Sequence, residues 1–135
     1  MAVDLHTHSN VSDGSETPSE VFRLAANAGL RAVALTDHDI LAGLDDARAA
    51  AERHDIEFIP GVELSLDWRS LAPDADQRGG MHMVVLWIEN QAGPLQDRLA
   101  DLRLGRERRN HTILERLASL GIDVPMEEVL ARAGD

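Results

Sequence analysis

Two histidines stand one residue apart near the start of the chain, in the stretch DLHTHS (Asp4–Ser9). Side chains at i and i+2 of an extended strand point the same way. His6 and His8 at a strand end can therefore present two imidazoles to one cation; the plain alternative is a surface loop holding two histidines by chance. Asp13 follows in SDGS, where an aspartate can make an Asx turn or return a carboxylate toward the imidazole pair. TDHD (Thr36–Asp39) makes a second constellation. His38 is its ligand candidate. Asp37 suits the outer acceptor that orients a metal-bound imidazole, and Asp39 reads as the cap of a helix beginning at Ile40. Glu63 interrupts the apolar stretch PGVELS. An unpaired buried carboxylate is costly, so Glu63 either meets a cation or points outward, and its neighbours Val62 and Leu64 permit the outward direction. His82, in MHMVVLW, is either a ligand or a satisfied edge residue. His54 reads as the exposed end of a helix and His111 as a helical surface residue.

The joint pattern carries more than any single residue. Four of the six histidines and the suspicious carboxylates fall at or beside the ends of strand-like segments. Imidazole mixed with carboxylate and no sulfur points to Mn²⁺, Fe²⁺ or Zn²⁺ more than to Mg²⁺ or Ca²⁺.

The elements that must position these groups read as an α/β chain. Ala2–Leu5 is a short strand ending at the histidine pair. SETPSEVFRLAANAGL is a helix with Pro18 near its start, Ser or Thr as cap and Gly29 at its stop. Its buried stripe reads as Val21, Leu24, Ala25 and Ala28. RAVALT is a continuously apolar strand, suited to burial on both faces. ILAGLDDARAAAERHD is a second helix, IEFIPGVELSLDW a third strand region, RSLAPDADQRGG a polar loop and MHMVVLWI a fourth strand. Strand–helix alternation argues for parallel architecture. After Gly93 the pattern is helical, broken into at least two helices at Gly121 and Pro125. The expected division is residues 1–92 and 93–135.

The 135 residues, 44% of them hydrophobic, suffice for a packed core. The net charge is −11, and all 13 lysine-or-arginine positions are arginine. That sign disfavours binding along long nucleic-acid duplexes, but not a small phosphorylated substrate, because bound divalent cations invert the local field. The absence of cysteine excludes thiolate sites and fits a reducing cytoplasm. No apolar run approaches the roughly 20 residues that span a bilayer, and the N-terminus lacks the pattern of a secretion signal.

Taken in order, DLHTHS, TDHD, GVELS and HMVVLW resemble the PHP family, named for polymerase and histidinol phosphatase, and most of all its bacterial phosphoesterases that act on nucleotides or short RNA. The resemblance covers essentially the whole chain. It implies the N-terminal part of a distorted β/α barrel with a cluster of two or three divalent metals at its mouth. His6 and His8 would bind one metal, Asp13 and His38 would serve the next positions, Glu63 would bridge two metals and His82 would complete a shell. His6, His8, His38 and Glu63 would then act in catalysis through the metals. The helical segment after Gly93 resembles a domain inserted within the barrel. Family members continue past it with further strands that carry more ligands, so the barrel is expected to be incomplete here, with sheet edges open to self-association.

The reaction implied is metal-dependent hydrolysis of a phosphate ester, such as a 3′,5′-nucleoside bisphosphate or a short oligoribonucleotide. Arg106 and Arg109, three residues apart on one helix face, could hold a second phosphate or simply form a solvated surface. The competing expectations are a non-catalytic metal-binding or interaction module, a histidinol-phosphatase-like enzyme for small molecules, and an acidic α/β domain without metal.

Overall fold

The computed structural model describes residues 2–66 and 80–133. Its elements are β1 (Ala2–Thr7), α1 (Pro18–Asn27), β2 (Leu30–Leu35), α2 (Leu44–His54), β3 (Glu57–Leu66), β4 (Met81–Leu86), α3 (Pro94–Ser119) and α4 (Met126–Ala133). The chain divides into two compact units, Met1–Asn90 and Gln91–Asp135.

In the first unit four strands form one sheet in the order β1-β2-β3-β4. β1, β2 and β3 are parallel, with Thr7 opposite Leu35 and Leu35 opposite Pro60. β4, which no helix precedes in the sequence reading, runs antiparallel to β3, Val84 facing Glu63 and His82 facing Ser65. An antiparallel neighbour needs no crossover helix, which agrees with the polar composition of the intervening sequence. That loop, from Arg69 through Gly79, and Asp67 and Trp68 of the third strand region lie outside the described residues.

α1 begins where Thr17 accepts a hydrogen bond from the Glu20 amide at 3.2 Å, with Pro18 in the first turn. Glu20 also pairs with Arg23 one turn on. The helix ends before Gly29, whose φ of +74° favours a residue without a β-carbon. Its buried face is Pro18, Phe22 and Ala25. The stripe read from the sequence is thus rotated: Leu24 and Ala28 are exposed, because Phe22, the largest apolar group, takes the centre of the contact.

α2 starts at Leu44, four residues later than the sequence suggested, after a turn over Leu41–Gly43. It buries Leu44, Ala47, Ala50 and Ala51. Small side chains let it approach α1 and the sheet. Phe22 meets Phe58 of β3 edge to face, with ring centres 5.6 Å apart. Leu35 of β2 reaches the N-terminal ends of both helices beside Gly43 and Pro18. On the other face of the sheet Ala32, Ala34 and Ile59 form a second apolar cluster, with Leu86 packed against it. β2 is therefore buried on both faces, as its unbroken apolar sequence predicts.

In the second unit α3 runs unbroken for 26 residues and stops at Gly121 (φ +80°). There the amide of Ile122 bonds back to the Leu117 carbonyl at 3.0 Å. α4 follows Pro125, and Gly134 and Asp135 lie outside the described residues. Among the described residues no helix is long and apolar enough to cross a membrane.

Candidate metal centre

β1 delivers the first histidine from within the strand, which extends through Thr7 rather than ending at Leu5. Thr7 is anchored to β2: its hydroxyl donates to the Ala34 carbonyl at 2.6 Å, and its own carbonyl accepts from the Thr36 amide at 2.9 Å. His6 and His8 consequently project the same way, and both reach Glu63. His6 Nε2 lies 2.7 Å and His8 Nε2 2.9 Å from Glu63 Oε2.

Beyond the end of β2, Thr36–Asp39 turns along β3. His38 and Glu63 form an isolated parallel bridge, in which the Glu63 amide donates to the Asp37 carbonyl at 3.2 Å and the Asp39 amide to the Glu63 carbonyl at 3.0 Å. His38 Nε2 stands 3.5 Å from Asp13 Oδ2 and 3.7 Å from Glu63 Oε2. His82, from the antiparallel strand, places Nδ1 3.1 Å from Glu63 Oε1. The rings of His6, His8, His38 and His82 form an arc with successive centres 5.0, 4.7 and 4.9 Å apart.

Glu63 is 6% exposed, so it faces this cluster and not solvent. It lies in the interior of β3, not at its end, but level with the space just past β2. Burial opposes its ionisation most strongly, yet the hydrogen bond with His6 and the charges of His38, His6 and His8 together hold its carboxyl below the ordinary value. His6 and Asp13 are exposed, which leaves the centre open to solvent on one side.

All six residues read as ligand candidates meet here. Their donor atoms fall into three overlapping groups, His6–His8–Glu63, His8–Asp13–His38 and His38–Glu63–His82, each with its atoms within 4.8 Å of one another. The donor set fits divalent cations. Four imidazoles and two carboxylates converge without sulfur, the nitrogen and oxygen donors that such cations take. His38 turns Nε2 toward Asp13 and Glu63, and its other ring nitrogen, Nδ1, is buried without a hydrogen-bond partner among the described residues.

The other candidates fall elsewhere. Asp37, 2% exposed, spends its carboxylate on Ser9 and Ser12, not directly on an imidazole. Asp39 is not the α2 cap. It sits at φ +52° and accepts from the Ser65 amide at 2.9 Å, fastening the turn to β3. His54 and His111 are exposed on α2 and α3. Arg106 and Arg109 are exposed on α3 in the second unit. The sequence reading missed Ser9 and Ser12, since nothing in SNVS distinguishes them from ordinary turn serines.

A family model described as the PHP domain matches residues 4–116, spanning the whole ligand constellation. The chain belongs to the PHP domain family. Among PHP relatives it is 40% identical over 120 residues to a 3′,5′-nucleoside bisphosphate phosphatase of Chromobacterium violaceum, covering 89% of this chain and 39% of that protein. It is 36% identical over 119 residues to a 5′-3′ exoribonuclease of Haemophilus influenzae, covering 88% and 40%. A solved structure of a Chromobacterium violaceum amidohydrolase with bound sulfate and no metal superposes with a TM-score of 0.74 at 39% identity, over 90% of this chain and 40% of that one. The α/β sheet is thus part of a PHP-type barrel, and the chain spans about two fifths of the length of the curated relatives it matches.

Proposed function

We propose that this PHP chain belongs to a metal-dependent phosphoesterase that hydrolyses a phosphate ester of a nucleotide, such as a 3′,5′-nucleoside bisphosphate, or of short RNA. The observation that carries the reading is the convergence on Glu63 of imidazoles from β1, the β1–α1 loop, the β2–α2 turn and β4. The names of the relatives support the substrate class.

His6, His8, Asp13, His38, Glu63 and His82 would hold a cluster of two or three cations, with Mn²⁺, Fe²⁺ or Zn²⁺ suited to this donor set. When bound, such cations polarise a phosphoryl group and acidify water. The chain's own part is positional. The backbone bridge between His38 and Glu63 holds two ligands at a set separation, and the open side at His6 and Asp13 admits the ester. Residues 1–92 would constitute the PHP-type metal-binding domain and 93–135 a helical insertion, whose Arg106 and Arg109 would contact a second phosphate. We place the protein in the cytoplasm, in keeping with a chain lacking cysteine.

The test pairs elemental analysis with phosphate release from a nucleoside bisphosphate and a short oligoribonucleotide, using this chain and a longer one that extends past it. The reading expects bound metal and turnover abolished by His6→Ala. Stoichiometric metal with no hydrolysis by either chain would instead support a metal-binding module.

A further inference from the structure

Asp37 is the most buried carboxylate of the centre, yet it is not among the groups that converge as ligands. Its Oδ1 accepts from the Ser9 amide and the Ser12 hydroxyl, each at 2.7 Å, and its Oδ2 accepts from the Ser9 hydroxyl at 2.8 Å. Ser9 is itself fully buried and is the hub of the β1–α1 loop. Its carbonyl accepts from the amides of Ser12 and Gly14 at 3.1 and 2.9 Å, and its hydroxyl from the Val11 amide at 3.2 Å. The loop so gathered carries His8 on one side and Asp13 on the other. The main chain of Asp37 is meanwhile bonded to Glu63 beside His38.

We infer that Asp37 is a positioning residue, which locks the loop bearing His8 and Asp13 to the turn bearing His38 so that their donor atoms face one space. This rests on the metal-site reading above. Ser12 completes the lock. Its single hydrogen is committed to Asp37, so its oxygen presents a lone pair toward His8 Nδ1, 3.5 Å away. Asp13 Oδ1, 3.0 Å from the same nitrogen, is a second acceptor there. Both favour a proton on Nδ1 and leave the Nε2 lone pair directed at the centre. Two glycines accommodate the arrangement. A β-carbon at Gly14 would lie 2.5 Å from the His8 carbonyl oxygen, and one at Gly43 would lie 3.2 Å from Asp37 Oδ2.

The experiment measures Co²⁺ binding by the metal-free chain, through titration and the visible absorption of the bound ion, beside a thermal melt of each variant. Asp37→Asn, Ser12→Ala and Gly43→Ala are compared with the unaltered chain at a temperature where all are folded. The expected result is a loss of roughly 10–100-fold in Co²⁺ affinity for Asp37→Asn and Ser12→Ala, a smaller loss for Gly43→Ala, and an altered Co²⁺ spectrum. Should Asp37→Asn not fold, Ser12→Ala decides. Folded variants that bind Co²⁺ with unchanged affinity and spectrum, differing only in melting temperature, would reduce Asp37 to a structural role and overturn the inference. Hydrolysis does not enter this readout; the phosphoesterase reading fails separately if neither this chain nor the longer one cleaves an ester while holding metal.

Discussion

His38 and Glu63 are joined by backbone before they are joined by chemistry. A single parallel bridge, isolated from the rest of the sheet, holds the two residues side by side past the end of β2, and their side chains then stand 3.7 Å apart. Their separation is set by main-chain hydrogen bonds, which move less than side-chain rotamers. A site built on strand ends and short turns is more sharply positioned than one built on long loops.

Glu63 is the residue on which this arrangement centres. Glu63→Gln preserves shape but removes the charge that attracts cations. Elemental analysis after metal loading should show fewer ions per chain than in the unaltered protein, with far-UV circular dichroism unchanged. Asp45→Asn, at an exposed position of α2 outside the three donor groups, should leave the metal content as it was.

Metal should stabilise the fold, because the ligands are gathered only in the native state. At a free concentration one hundred times the dissociation constant, linkage gives about 2.7 kcal/mol per site. A melt recorded with and without EDTA should show the difference as a lower melting temperature in chelator.

The same linkage predicts a pH dependence. Imidazole must be neutral and carboxylate ionised to ligate, so protons compete with metal as the pH falls. Affinity should therefore decline as the pH is lowered. Titration of one metal at several pH values checks both the direction and the steepness expected for several histidines.

Phe22→Ala removes the ring that fills the junction of α1, β2 and β3 and contacts Phe58. A fully buried phenylalanine replaced by alanine costs about 3–5 kcal/mol. Denaturant unfolding of the metal-free chain should show a loss of that size. Leu24→Ala, on the exposed side of the same helix, should cost far less.

The open sheet edges make a further prediction. Val3 and Leu5 on β1, and Met81 and Met83 on β4, are exposed on the two outer strands. Outer strands with apolar faces favour pairing between chains. Sedimentation velocity should find self-association that grows with concentration and falls in a Val3→Lys, Met83→Lys variant.

Much of this was legible in the sequence. The alternation of strand and helix placed the elements, and histidines gathered at strand ends marked the side chains that the fold brings together. What the residues alone did not settle was geometric. Glu63 between two apolar neighbours is compatible with facing in or out, and only the pairing of β3 with both β2 and β4 buries it. Asp39 looked like a helix cap because aspartate commonly is one; instead the chain takes a left-handed turn there and α2 begins only at Leu44. The α1 stripe was drawn by spacing, but the size of Phe22 decided which face turned inward. Ser9 and Ser12 left no trace, since their role depends on where a carboxylate 28 and 25 residues away comes to lie.

The most direct test of the shared site is anomalous diffraction from crystals of the chain grown with Mn²⁺, recorded on either side of the manganese absorption edge. The account predicts anomalous peaks within coordinating distance of His6, His8, His38 and Glu63, lost or displaced in Glu63→Gln. Crystals saturated with Mn²⁺ that show no peak among these four residues would contradict it.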